Sequence, residues 1–448
     1  MSSIQGTFPD HDSVSDDHLD LADARRRLKA IFIGSVGNLV EWYDFYAYAA
    51  FALYFAHLFF PNSDPVVAQL NAAVLFAAGF IVRPFGGWLF GHLADRYGRR
   101  VSLMLSVTLM CFGSLMIAVT PTYATIGIWA PIALAVARIV QGLSLGGEYG
   151  TSATYLTEVA DQKHRGFYSS FQYVTLIGGQ LCALLVLILL QHVFLTNDQI
   201  RDWGWRIPFV IGALLAIVAT VMRRNLHETD AFQAAQKAGA MKRESSLRAL
   251  MKYPREVLLV VGLTAGGTAA FYTYTTYMQK FLKLSVGLTD NQTTLVTAGS
   301  LIFAMCLQPI YGTISDRIGR KWLLIGFGVC GTLFTIPILT TLQSVKTPLA
   351  AFLLIAAAWM IVSGYTSINA VVKAELFPTK VRATGVGLPY ALTVSIFGGT
   401  ADSVALWFKT IGHESWFYYY LTAIIFLSLI VYVFMRDTRA DSAMHRHE

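Results

Sequence analysis

Gly91-His92-Leu93-Ala94-Asp95-Arg96-Tyr97-Gly98-Arg99-Arg100 returns 221 residues later as Gly312-Thr313-Ile314-Ser315-Asp316-Arg317-Ile318-Gly319-Arg320-Lys321. Each copy follows one apolar run and precedes another. A water-soluble domain has no reason to place a charged hairpin between two apolar helices twice, at half-length spacing. A duplicated set of membrane-spanning helices does.

The composition agrees. Of 448 residues, 55% are hydrophobic and only 14% charged, with a mean hydropathy of +0.52. That leaves too little polar surface to solvate a globule. Apolar runs long enough to cross a bilayer recur, and we read twelve: roughly 30–58, 67–93, 100–120, 125–158, 165–194, 205–224, 256–284, 292–314, 320–342, 348–376, 382–408 and 414–436. The expected fold is an all-α membrane protein of twelve transmembrane helices in two six-helix halves, 29–224 and 255–436. A polar connector at 225–254 is expected to lie in the cytoplasm, and tails at 1–28 and 437–448 complete the chain. The first tail carries six aspartates between Asp10 and Asp23 and little apolar surface, so it is expected to be disordered. It lacks the basic start and apolar core of a secretory signal.

The net charge of +7 is distributed unevenly. Of the 34 lysines and arginines, 25 fall in the tails and loops of one side, while the opposite loops hold only Arg201, Arg206, Lys283, Lys346 and Lys409. Basic loops stay in the cytoplasm, so both termini are expected there and a nucleic-acid partner is not needed. The four cysteines, Cys111, Cys182, Cys306 and Cys330, fall within spans and show no paired spacing, which points to neither disulfides nor a metal site.

In the repeated hairpin, Gly91 and Gly312 allow close helix approach. Asp95 and Asp316 stand at membrane ends, where a carboxylate can meet a neighbouring helix N-terminus or an arginine. With Arg96, Arg99, Arg317 and Arg320 they form a candidate conformational latch. Gly142, Gly146, Gly147 and Gly150 form a small-residue seam on the fourth span. They make no phosphate loop, because no strand precedes them and no Lys-Ser/Thr follows.

Beyond the hairpin, several segments resemble the major facilitator superfamily and, within it, the metabolite:proton symporter family. They are Gly37 to Tyr46 (GNLVEWYDFY), Arg83-Pro84-Phe85-Gly86-Gly87, Arg138 to Tyr149 (RIVQGLSLGGEY), Gly166 to Gln172 (GFYSSFQ), Trp203 to Pro208 (WGWRIP) and Glu375-Leu376-Phe377-Pro378. The likeness runs from Ala30 to Arg436. Within that family, Gly150 to Tyr155, Phe171 to Leu181, Tyr274 to Lys280 and Lys373-Ala374-Glu375 look most like the members that take up 2-oxoglutarate. The resemblance therefore implies uptake of that dicarboxylate with protons across a bacterial inner membrane. Other members carry citrate, shikimate, or betaine and proline, so citrate, another carboxylate or a zwitterionic osmolyte remains the alternative. A non-transporting membrane receptor or scaffold is the rival from another class.

Ionisable groups deep in a span need a partner or a wet cavity. Glu41 and Asp44 share one face of the first span. Arg83 is on the second span, Arg138 and Glu148 on the fourth, Lys280 on the seventh and Asp402 on the eleventh. Lys373 follows Tyr365 and Asn369 at four-residue intervals on the tenth. A transported dianion needs fixed cations, and an arginine fork grips a carboxylate through two hydrogen bonds. The expected substrate contacts are Arg83, Lys373, Tyr46, Gln172, Tyr277 and Asn369. Proton coupling is expected at Asp44 opposed by Arg138, an arrangement similar to that of sugar:proton relatives, with Glu41 and Glu148 as further candidates. Lys280 is expected to snorkel outward, and Asp402 has no assigned role. No nucleophile–base set, metal spacing or nucleotide motif is present, so neither an enzyme nor a cofactor is expected. The expected partners are a small dicarboxylate, protons and membrane lipid, with a monomer as the working unit.

Overall fold

A computed structural model describes residues 21–61, 64–97, 99–146, 163–224, 250–377 and 382–439, with the separate positions 149, 153, 157 and 160. Within it, side chains are described outside 21–37, 91–103, 222–224 and 382–383. Twelve long helices follow the expected order. They are α1 (Leu21–Phe59), α2 (Pro65–Ile81, resuming as Arg83–Tyr97), α3 (Arg99–Val119) and α4 (Trp129–Leu145). Next come α5 (Arg165–Phe194), α6 (Ile207–Arg224), α7 (Pro254–Val286) and α8 (Asp290–Ile318). The last four are α9 (Arg320–Ser344), α10 (Pro348–Leu376), α11 (Thr384–Thr410) and α12 (Glu414–Phe434). No strand occurs among the described residues.

Local chemistry sets the helix ends. Asp64 accepts from the Val66 amide at 2.8 Å ahead of Pro65, which is preset for a first helical turn. Thr289 and Gln292 cap α8 reciprocally through a capping box. One boundary departs from expectation: α1 begins at Leu21, inside the tail expected to reach residue 28. Leu21 to Lys29 contains mostly strong helix formers, so the helix continues past its apolar stretch. Most of the expected connector, 225–249, lies outside the described residues, as do 1–20 and 440–448.

Large apolar side chains are exposed along the helices, and the charged side chains of the spans are enclosed within a mostly apolar interior. Ile81, Leu258, Leu333, Phe334, Leu349 and Phe434 are exposed, whereas Asp44, Arg138, Gln141, Lys373 and Asp402 are buried. The halves meet where α5 packs along α8 and α2 along α11. Across this seam Tyr46 donates to the Thr275 carbonyl (2.7 Å), Gln279 to that of Ala50 (3.2 Å) and Ser395 to that of Phe80 (2.5 Å). Within the first half α2 and α4 cross so closely that a Cβ on Gly142 would stand 2.0 Å from the Gly79 carbonyl oxygen. That crossing sets the depth at which Arg83 and Arg138 enter the interior.

Candidate functional site

Three buried groups are assembled at the centre. The first is built on α1. Asp44 accepts from Ser114 Oγ of α3 through Oδ1, and from Gln141 Nε2 of α4 through Oδ2 at 2.8 Å. Gln141 Oε1 in turn accepts from Arg138 Nη1 at 2.6 Å. Asp44 and Arg138 are thus linked through the amide of Gln141, which stands between them. Three residues after Arg138, Gln141 shares its helix face, and its amide offers both a donor and an acceptor. Arg138 also lies over the rings of Phe45 (4.1 Å), Tyr48 (4.4 Å) and Phe76 (5.1 Å), and its Nε and Nη2 have no hydrogen-bond partner among the described residues.

The second group surrounds Arg83, at the start of the resumed α2. Its guanidinium carbon stands 3.9 Å from the ring centre of Phe80, 4.4 Å from that of Phe45 and 5.1 Å from that of Trp42. Aromatic faces attract a desolvated cation but accept no strong hydrogen bonds from it. Nε and Nη2 of Arg83 have no hydrogen-bond partner among the described residues. Tyr272 of α7 closes the cage from the other half, edge-on to Phe80 at 5.1 Å.

The third group belongs to the second half. Lys373 donates to Asn369 Oδ1 at 2.5 Å, and its ammonium lies 3.9 Å from the ring centre of Tyr390. Tyr149 from the first half stacks on Tyr390 at 3.7 Å and donates to the same Asn369 oxygen at 3.2 Å. Among the described residues no carboxylate pairs with Lys373. Tyr390 is also close enough to Arg83 to feel its charge. Two cations, one from each half, thus stand near a tyrosine stack on the seam.

The remaining expected residues are more dispersed. Tyr46 reaches the seam through its bond to Thr275, and Gln172 is buried on α5. Glu41 is buried on α1, near enough to Arg83 to act on its charge. Tyr277 is turned to Glu414 (3.1 Å), in a cluster where Lys409 and Gln343 also bind Glu414, each at 3.1 Å. Tyr365 faces Thr268 because α10 breaks at Ser367–Ile368, which removes it from the Asn369–Lys373 face. Glu148 lies outside the described residues. Lys280 does not snorkel: it is bonded to Asp402, and both side chains are 1% exposed.

At the end bearing the repeat, Asp316 accepts from the backbone amides of Gly166 (2.8 Å) and Phe167 (2.9 Å). This places a carboxylate on the N-terminus of α5 in the opposite half. Arg320 binds Asp316 (2.7 Å) and Ser315 (2.6 Å) and approaches Glu375 (3.5 Å). Gly312 touches Gly166, where a Cβ would lie 2.6 Å from the carbonyl oxygen. Arg317 is exposed, and its carbonyl accepts from Arg439 at 2.8 Å. In the first copy, Gly91, Asp95, Arg96 and Arg99 are helical, but their side chains lie outside the described ones. At the opposite end Arg201 of the first half binds Asp290 of the second.

Several of these partners leave no local trace in the sequence. Ser114, Tyr149, Tyr272 and Tyr390 are ordinary helix residues until distant spans bring them together. Only Gln141, beside Arg138, carried a spacing signal.

Paired six-helix halves around a buried, charged seam define a multi-pass membrane transporter rather than an enzyme. The Sugar (and other) transporter family matches residues 30–254 and 223–448, and the chain belongs to that family, within the major facilitator superfamily. It is 51% identical over 418 residues to the alpha-ketoglutarate permease of Escherichia coli (strain K12), covering 93% of this chain and 96% of that one. It is 34% identical over 379 residues to the citrate-proton symporter of Klebsiella pneumoniae, covering 83% of each. Among solved structures, the partially occluded, inward-open xylose transporter XylE from E. coli superposes with a TM-score of 0.72 at 17% identity, covering 92% of this chain and 98% of that one.

Proposed function

We propose that this protein takes up 2-oxoglutarate together with protons across the bacterial inner membrane by alternating access, with both termini in the cytoplasm. The observation that carries the reading is the pair of buried cations, Arg83 and Lys373, which the two halves bring to the surroundings of the Tyr149–Tyr390 stack. Arg83 has two buried guanidinium nitrogens, beside Tyr272, without a geometric hydrogen-bond partner among the described residues, and Lys373 is held by an amide and two rings. A dianion bound between them replaces lost hydration with two charge-assisted contacts and draws the halves together. The likeness to the alpha-ketoglutarate permease favours a dicarboxylate of that size.

Proton coupling runs through Asp44, Gln141 and Arg138. When Asp44 takes a proton, it no longer needs the Gln141 amide as a donor. The amide can then turn, and Arg138 loses its acceptor. A change at one carboxylate is passed to a cation packed between α1 and α2, which shifts the balance between inward and outward states. Asp316 and Arg320 hold the cytoplasmic side closed in one of these states, and Arg201 with Asp290 holds the opposite side.

The test is counterflow of labelled 2-oxoglutarate in proteoliposomes, challenged by a panel of unlabelled carboxylates and repeated with an imposed pH gradient. Saturable counterflow plus uphill accumulation driven by the gradient supports the reading. Stronger competition by citrate moves the substrate assignment toward that of the citrate-proton relative, and no flux with any carboxylate refutes it.

A further inference from the structure

Lys280 and Asp402 form a buried ion pair that the central site does not use. Replacing such a pair by apolar groups is often neutral or stabilising, so fold stability alone is a poor reason for it. Its surroundings are irregular. Lys280 sits in one α-helical turn, Met278–Phe281, between π-helical turns at Thr273–Tyr277 and Leu282–Val286. Asp402 follows the π-helical turn Val394–Gly398 and a break at Gly399–Thr400. Interruptions of this kind concentrate at functional sites and, in transporters, beside bound ligands. Asp402 Oδ1 and Ser403 Oγ have no hydrogen-bond partner among the described residues. The other half comes close: Gln279 bonds to Ala50, and Tyr46 and Tyr48 are within charge range of Asp402.

The position matters as well. Tyr272, which closes the Arg83 cage, precedes Lys280 by eight residues on α7. Because five of those residues are π-helical, the separation is somewhat less than the roughly 12 Å of eight α-helical residues, and it runs toward the end where Arg201 meets Asp290. Lys280 thus stands further along α7 than the residue that closes the Arg83 cage.

Resting on the dicarboxylate reading above, we propose that Lys280 and Asp402 are a second carboxylate-binding station, occupied in transit between the Arg201–Asp290 end and the central site. In the empty protein Asp402 stands in for the substrate. As substrate arrives, the ammonium passes its hydrogen bond from Asp402 Oδ2 to a substrate carboxylate. The vacated aspartate takes up one accompanying proton, which offsets one of the two negative charges that the dianion brings. The groups facing Asp402 are Lys280 and Tyr277 of α7 and Tyr46 and Tyr48 of α1. The Pro65–Ile81 part of α2 carries no titratable side chain, and α12 offers Tyr418 and a Glu414 already bound to Lys409.

The test compares initial uptake of labelled 2-oxoglutarate in proteoliposomes with equilibrium binding to the purified full-length protein. In the neutral double variant Lys280→Gln/Asp402→Asn, the KM for uptake rises about tenfold, while equilibrium binding at the central site is kept. Asp402→Asn alone leaves the ammonium free to retain substrate, so KM and maximal rate both fall. A wild-type KM in the double variant overturns the station, as does loss of binding in step with uptake. A KM that rises in Asp402→Asn overturns it too, and this variant decides the matter if the double variant fails to reach the membrane. Absence of uptake by the unaltered protein sinks the dicarboxylate reading instead.

Discussion

Arg138 reaches Asp44 only through Gln141, whose amide accepts from the arginine at 2.6 Å and donates to the aspartate at 2.8 Å. An amide placed between two opposite charges can turn, which a direct ion pair cannot do. In the proposed coupling, Gln141 transmits between the group expected to carry the proton and a cation that shares Phe45 with Arg83.

Asp44→Asn is therefore expected to retain exchange of labelled for unlabelled substrate while losing accumulation against a gradient. Gln141→Ala is expected to do the same, because it cuts the connection without removing either charge. Parallel counterflow and pH-driven uptake assays check this. Undiminished pH-driven accumulation in Asp44→Asn moves the proton to Glu41 or another carboxylate.

Asp316 predicts a conformational phenotype. Its two bonds to the N-terminus of α5 join the halves, and a carboxylate in such a place is worth about 0.3–1 kcal/mol, up to about 2 where partly buried. Asp316→Asn should shift the population toward the state open at this end. In a background stripped of the four native cysteines, a cysteine at Phe167 should then be alkylated several-fold faster. An unchanged rate contradicts the latch.

The seam between α2 and α4 gives a stability test. Gly142→Ala drives a methyl to 2.0 Å from the Gly79 carbonyl oxygen. Neither backbone can yield without separating the helices, so a loss of about 1–3 kcal/mol is expected. The thermal midpoint of the purified protein should drop accordingly, and a wild-type midpoint would show that the crossing is looser than described.

Much of this was legible from the chain. Duplication of the hairpin announced two halves, and a carboxylate at a membrane end pointed to a helix N-terminus, which Asp316 finds on α5. Asn369 and Lys373 stand one helical turn apart and remain together. Legibility stopped where partners come from different spans. Nothing near Tyr390 announces that Tyr149 will stack on it, because a helical period reports which residues share a face and not what that face meets. Lys280 near a span end read as a snorkelling side chain, because its countercharge lies four spans away at Asp402. Tyr365 fell out of register through a break in α10 that no proline or glycine marks at Ser367–Ile368.

In the proposed function, Arg83 and Lys373 hold the two ends of one dicarboxylate. Equilibrium binding of labelled 2-oxoglutarate to the purified protein, beside Arg83→Ala and Lys373→Ala, addresses it most directly. A charge-assisted contact left unmade costs about 1.5–3 kcal/mol, so each variant should bind roughly ten- to a hundredfold more weakly while remaining folded. Wild-type affinity in either variant would contradict it.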